Sequence, residues 1–386
     1  MTAIRGGKIH TITNGILEKG TVIMENGKIT GVGRELPIPL GAEIIDAEGK
    51  YIFPGFIDAH THAGLFEEGM GFEGEDGNEL TEPVTPHLRA IDGINPEDEA
   101  FKDALAAGIT TVVSGPGSGN VVGGQALAMK TAGRTMEEMV IKEPIGMKIA
   151  LGENPKRVYN EQKKMPSTRM GTAALLRDCL VQAQNYLEKL KKHREKPDEV
   201  FERELKWEAM IKVLEGEIPL RAHAHRADDI LTAIRIAEEF GVKVVIEHAT
   251  EGHKIAQILA EKGVPVVVGP GLTSRSKIEL KEMSFRTPGI LAKAGVKVAL
   301  MTDHPVIPVQ YLPICAVLAV KEGMAEEDAL RAITINAAEI IGLDHRLGSI
   351  EVGKDGDLVI YNGHPFNYLS RVEKVFVNGR LVYTKE

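Results

Sequence analysis

The feature that most constrains this chain is an alternation, through its middle, of short apolar runs and amphipathic helical stretches. Runs that fit buried strands are Phe56-Ile57, Thr110 to Val113, Lys148 to Leu151, Leu220 to Ala222, Lys243 to Ile246, Pro265 to Val268 and Lys297 to Met301. Helical patterns such as EDEAFKDALAAG, ADDILTAIRIAEEFG, GHKIAQILAEKG and TPGILAKAG lie between them and end in glycine, a common helix stop. Short buried strands followed by helices are βα units, and roughly eight of them predict an α/β chain built as a (β/α)8 TIM barrel. Seven strands are clear. The eighth is expected in the Gly115 to Lys130 region, where the pattern is weak.

The two ends differ from the middle. GGKIHTIT, GTVIMENGKITGVG and AEIIDAEGKYIFPG read as strands, with turns at Asn26-Gly27 and Glu48-Gly49. Residues 357–384 repeat the texture, with a turn at Asn378-Gly379. Neither end has enough apolar sequence for a core of its own. Residues 1–54 and 349–386 are therefore expected to share one small β-sandwich subdomain flanking a barrel at 55–348. A helical insertion at 155–215 interrupts the barrel. Its cluster of Lys189, Lys191, Lys192, His193, Arg194 and Lys196 reads as a solvated helix face, because Glu188 and Glu195 break it up.

The net charge of −9 argues against nucleic acid as a partner. No apolar stretch approaches the ~18 residues of a membrane span, and the N-terminus lacks a signal-peptide pattern. Cys179 and Cys315 have no partner at metal spacing, so they read as buried thiols in a reducing, cytoplasmic setting. The expected partner is a small-molecule substrate, with homo-oligomerisation left open.

Chemistry in a TIM barrel sits at the C-terminal ends of the strands. After the first strand comes IDAHTH, where His60 and His62 share a face because strand residues i and i+2 do. Later strand ends carry His223 with His225, then His248, then Asp303. Imidazole and carboxylate donors gathered at one edge form a metal-ligand pattern. A divalent ion there would lower the pKa of water towards neutrality.

These stretches resemble the amidohydrolase superfamily of metal-dependent hydrolases, and most of all its imidazolonepropionase-like and prolidase-like branch. The matching segments are PGFIDAHTH (54–62), AAGITTVV (106–113), RAHAH (221–225), VVIEHATEG (244–252), MTDHP (301–305) and INAAEIIGLDHRLGSIEVGKDGDLVIY (335–361). Only the insertion falls outside the resemblance. It implies a distorted barrel, one or two divalent metals, and hydrolysis of a C–N bond in a cyclic amide, a dipeptide or an N-acyl amino acid. Zinc is the expected ion, with iron, manganese or nickel as alternatives. Asp303 is implied as general acid and base, with His225 either polarising the substrate or supporting the ligands from behind. The resemblance also implies that Lys148 is N-carboxylated and bridges two metals, the alternative being an outward-facing lysine, with Glu153 the competing ligand or a substrate contact.

Related deaminases and true imidazolonepropionases carry a glutamate three residues after the strand-five histidine. Arg226 stands there instead, which counts against both of those reactions. The Gly115–Asn120 loop lacks dinucleotide spacing and reads as part of the barrel mouth, with Asn120 a candidate substrate contact. Arg169 and Arg275 are candidates to hold a substrate carboxylate, or else structural ion pairs. Two other readings stand beside the hydrolase. One is a mononuclear amino-sugar deacetylase-like enzyme using Glu153. The other is a non-catalytic scaffold, disfavoured because no ligand is missing.

Overall fold

A computed structural model describes residues 1–196, 198 and 200–385. The N-terminal segment forms β1 (Thr2–His10), β2 (Ile16–Glu25), β3 (Lys28–Gly33), β4 (Glu43–Asp46) and β5 (Tyr51–Pro54). The middle supplies β6 (Phe56–Thr61), β7 (Ile109–Ser114), β8 (Val122–Lys130), β9 (Val140–Ala150), β10 (Leu220–Ala224), β11 (Val244–His248), β12 (Val266–Val268) and β13 (Val298–Leu300). The C-terminal segment adds β14 (Leu358–Tyr361), β15 (Val372–Val377) and β16 (Arg380–Thr384).

Strands β6 to β13 form one sheet in chain order, a nearly closed eight-strand barrel. The eighth strand lies in the expected region, as β8, but runs antiparallel to both β7 and β9. Its approach explains this. Only residues 115–121 separate β7 from β8, and a parallel crossover needs a dozen or more. The seam between β13 and β6 is closed just beyond the strands, where Asp303 N donates to His60 O (3.3 Å) and His62 N to His304 O (2.8 Å). Asp58 reinforces it, accepting from Thr302 N at 3.1 Å and Thr302 Oγ1 at 2.6 Å. The same interactions draw the ends of the first and last strands together, which is what the site needs.

The chain ends do share a second sheet, in the order β16-β15-β14-β5-β1-β2-β3, with β4 on β1. Strand β14 pairs antiparallel with β5 from Leu358↔Pro54 to Tyr361↔Tyr51. Both expected Asn-Gly turns have positive φ at each residue, 49° and 80° at Asn26-Gly27 and 49° and 70° at Asn378-Gly379. That is the type I′ geometry that matches strand twist.

The insertion folds as the helices Arg169–Glu195 and Leu205–Leu214. Leu176, Leu180 and Ala183 are buried, and Lys189, Lys191 and Lys192 are exposed. The second helix begins at Leu205. Pro197 and Glu199 of the insertion, and Glu386 of the C-terminal range, lie outside the described residues. No helix among the described residues is long and apolar enough to cross a membrane. Cys179 and Cys315 are both free and buried, and burial pushes each thiol up to about 12.

A buried ionic cluster fastens the barrel to the second sheet. Lys130, at the end of β8, donates to Asp355 at 2.9 Å and also to Asp357. Asp355 further accepts from Lys28 (2.6 Å) and Arg346 (2.9 Å). Lys130→Met should lower stability by about 3 kcal/mol, because breaking a buried pair strands the remaining charges. Burial raises the Asp355 carboxyl, but Lys130 and the other cations outweigh it and hold the group at about 2. A folded pKa below the unfolded one stabilises the protein above the unfolded value, and that contribution disappears as pH falls through about 2. Acid titration of unfolding in wild type and Lys130→Met should therefore show wild type losing more stability between about pH 4 and pH 2. Parallel acid profiles would remove the cluster from the account of stability.

Candidate metal centre

Two groups of buried donors meet at the C-terminal ends of the barrel strands: His60, His62 and Asp303, and His223, His225 and His248. Strand alternation places them. His60 and His62 share a face at the end of β6, as do His223 and His225 at the end of β10. His248 ends β11, and Asp303 follows β13. The His60 ring lies 5.1 Å from the His62 ring and 5.4 Å from the His248 ring. The His248 ring lies 4.2 Å from His223 and 4.5 Å from His225. His248 and Asp303 have positive φ, 75° and 57°. This conformation is uncommon for non-glycine residues and clusters at functional sites.

The donors fit a cation. His62 Nδ1 lies 2.7 Å from the Gly115 carbonyl, and His60 Nδ1 lies 3.0 Å from Glu247. With those nitrogens donating, each Nε2 lone pair faces Asp303 Oδ1, at 3.3 Å for His62 and 3.1 Å for His60. Lone pairs aimed at a carboxylate repel unless a proton or a metal lies among them. In the second group, His248 Nδ1 lies 3.0 Å from the Gly269 carbonyl, and its Nε2 faces His223 Nδ1 at 2.7 Å. His225 Nδ1 is held by the Thr250 hydroxyl at 2.8 Å. Outer partners of this kind orient metal-binding imidazoles.

Electrostatics agree with neutral donors in the second group. Burial, then the neighbouring imidazole, drives His223 and His248 well below the usual histidine range. Burial and Lys277 push His225 down to about 4. Burial also lowers His62. It works the same way on His60, but Glu247 and Asp303 reverse it and the net shift is upward. Burial would raise Asp303, yet His248 and the close approach of His60 and His62 hold it well below the carboxylate range.

Lys148 points into this interior, where its Nζ pairs with Glu247 Oε2 at 2.5 Å. Glu247 also accepts from Arg221 at 2.7 Å and is completely buried. Burial opposes its charge, but His60, Lys148 and Arg221 keep it ionised. A lysine in an apolar strand thus has a buried counter-ion. Glu153 opens the helix Glu153–Glu161 and stands outside both donor groups. Its backbone N–H donates to Glu279 at 3.0 Å, and its Oε2 is buried without a hydrogen-bond partner.

Three proposed substrate contacts are engaged elsewhere. Arg169 donates to both carboxylate oxygens of Asp229, at 2.9 and 3.1 Å. Arg275 donates to the carbonyls of Lys281 (3.2 Å) and Met283 (2.8 Å). Asn120 gives its amide to the Glu79 carbonyl and the Thr85 hydroxyl, and accepts from Tyr159. Arg169 thus joins two helices, Arg275 braces its own loop, and Asn120 ties the glycine-rich loop to residues 79–85. Arg226 is paired outside the barrel with Asp228, at 2.9 Å.

A cavity of about 350 Å³ opens over the donors, lined by His62, Phe66, His223, His225, Lys277 and Asp303 among others. Gly117 and Ser118 of the glycine-rich loop border it too, in keeping with a place at the barrel mouth. A larger hollow of about 630 Å³ lies at the opposite end, among the strand starts at Pro219, Val244 and Pro265, and holds no histidine. The sequence reading passed over Glu247, Thr250, Lys277 and Glu279. A charge inside the apolar run VVIEH was a signal for Glu247. Lys277 and Glu279 follow the strand-seven run, in the loop class that builds barrel sites.

A barrel with histidines and an aspartate at these strand ends could hold divalent metal ions. The profile of the amidohydrolase family matches residues 51–382, and the chain belongs to that family, a hydrolase of the amidohydrolase type. An amidohydrolase from Thermotoga maritima MSB8 is 50% identical over the full length of both chains, with a TM-score of 0.97. Amidohydrolase tasK of Hapsidospora irregularis is 28% identical over 93% of this chain, which spans 39% of that protein's length. Imidazolonepropionase of Bacillus thuringiensis (strain Al Hakam) is 26% identical over 96% of this chain and 90% of its own length.

Proposed function

We propose that the protein is a metal-dependent hydrolase that cleaves a C–N amide bond in a small polar substrate: a cyclic amide, a dipeptide or an N-acyl amino acid. The observation that carries this reading is the pair of complete, buried donor groups facing one cavity. His60, His62 and Asp303 would hold one divalent ion and His223, His225 and His248 a second, with zinc the first choice for nitrogen and carboxylate donors. Such ions activate water and polarise a carbonyl. In this arrangement His225 serves as a donor beside His223 and His248, in place of the polarising role read from sequence.

Asp303 is the proton carrier. With Oδ1 beside the His60 and His62 nitrogens as the ion-facing oxygen, the other carboxylate oxygen, Oδ2, takes a proton as water adds to the carbonyl carbon. It delivers that proton to the nitrogen as the C–N bond breaks, leaving a carboxylic acid and an amine. As an ammonium, Lys148 balances Glu247. Carboxylation would put a second anion beside that carboxylate. The mononuclear deacetylase-like alternative needs Glu153 as principal ligand, and Glu153 stands outside both groups.

Metal analysis joined to a hydrolysis screen of cyclic amides, dipeptides and N-acyl amino acids tests the proposal. Two ions per chain and turnover of one of these classes are expected. Chelation should abolish turnover and zinc should restore it. NMR after labelled CO2 would reveal a carbamate on Lys148. Turnover undiminished in metal-free protein would end the proposal, and a single ion bound through Glu153 would move it to the mononuclear class.

A further inference from the structure

We propose that Lys277 is the anchor for a carboxylate on the substrate, so that the molecule hydrolysed carries a free carboxylate close to its scissile bond. The inference rests on the hydrolase reading above for the word substrate, and on separate observations for the anchor. Lys277 is the one lysine or arginine lining the cavity over the metal ligands, among the described residues. The arginines that a sequence reading offers for this task are consumed by Asp229 and by backbone carbonyls.

The ammonium is held in place rather than free. Its Nζ lies 2.7 Å from Glu279 Oε1 and 3.0 Å from Asn154 Oδ1. Both partners are themselves fixed. Glu279 is completely buried, and its other oxygen accepts the Glu153 backbone N–H at 3.0 Å. Asn154 donates to Ser118 Oγ at 2.8 Å and lies 3.5 Å from His223 Nε2. Glu279 Oε1, which touches Lys277, is also 3.8 Å from His225 Nε2. The ammonium therefore stands about one small functional group away from the donor cluster.

An ammonium has three donors. One is spent on Asn154. Glu279 is an ion-pair partner whose Oε1 accepts no hydrogen bond, and the Lys277 side chain lines the cavity with 18% exposure, so donors remain for a ligand. Their orientation costs little further entropy on binding, because the frame has already fixed the stem. A single cation beside Ser118, Thr273 and Ser276 suits a monoanion, whereas a phosphate dianion calls for several cationic donors. This favours N-acyl amino acids and dipeptides over uncharged cyclic amides within the proposed range.

The test uses the full-length, zinc-loaded protein. Calorimetry with N-acetylglycine and with its carboxamide measures the carboxylate preference without any turnover. Wild type should bind N-acetylglycine at least about 10-fold more tightly, the scale of a charge-assisted hydrogen bond. Lys277→Met should erase that preference and Lys277→Arg should keep part of it. With any carboxylate substrate found by screening, Lys277→Met should raise KM about 10–100-fold, with a smaller change in kcat. Equal binding of acid and amide by wild type, or a preference retained in Lys277→Met, would overturn the anchor. N-phosphonomethyl acetamide binding more tightly than N-acetylglycine would also overturn the assignment to carboxylate. Preference without turnover of any amide leaves the anchor standing and removes the hydrolase reading. Turnover without preference does the reverse.

Discussion

Asp303→Asn is expected to lower kcat by about 10²–10⁴, the usual range for loss of a general acid–base group. The carboxylate is 8% exposed and held by His60 and His62 at 3.1 and 3.3 Å through one oxygen, Oδ1. An asparagine fits the same space, and its amide oxygen keeps a weaker donor for a cation. It cannot accept a proton from water and return it to a leaving nitrogen. The backbone at 303 has φ 57°, a conformation that asparagine tolerates as well as aspartate does, so the fold should be unaffected. Three measurements check this together: metal content, thermal unfolding and turnover. Retained metal, unchanged unfolding and a large loss in kcat support the proton-carrier role. Full turnover in Asp303→Asn would remove it.

Glu247→Ala should be the most damaging single change to stability near the site, costing about 3–5 kcal/mol. The carboxylate has no exposure and faces three groups: Lys148 at 2.5 Å, Arg221 at 2.7 Å and His60 Nδ1 at 3.0 Å. Removing it leaves two buried cations without a counter-charge. Arg221 would keep only its bond to the Ala59 carbonyl, since its Nη1 already lacks a partner. The His60 ring would also lose the acceptor that turns its Nε2 towards Asp303, so metal affinity should fall about 10–100-fold, as it does when outer-shell partners are lost. Glu247→Gln preserves hydrogen bonding and removes only the charge, so its stability loss should be smaller. Denaturant unfolding and competition with a chelator read the two effects separately. Wild-type stability and metal affinity in Glu247→Ala would show that Lys148 and Arg221 find other partners.

The legible parts of this molecule are those set by local rules. Buried apolar runs with helices between them marked the barrel, and Asn-Gly pairs with positive φ marked the hairpins of the second sheet. The donor residues were legible because a strand puts i and i+2 on one face, so His60 with His62 and His223 with His225 could be paired from spacing alone. Strand β8 was only half legible. Its place could be expected, but its direction follows from the shortness of the 115–121 connection.

The architecture was therefore readable from local pattern in the sequence, as was the meeting of His60, His62, His223, His225, His248 and Asp303 at one edge of the barrel. Tertiary structure alone decided how the charged side chains are shared out. Arg169 goes to Asp229, 60 residues away, and Lys148 to Glu247, 99 residues away. Arg275 goes to two carbonyls, and Lys277 is the cation left facing the cavity. The reason is physical. Periodicity reports which face of an element a residue occupies, whereas a long flexible side chain takes whichever partner the packing of distant elements brings within about 3 Å, and sequence separation carries no trace of that distance.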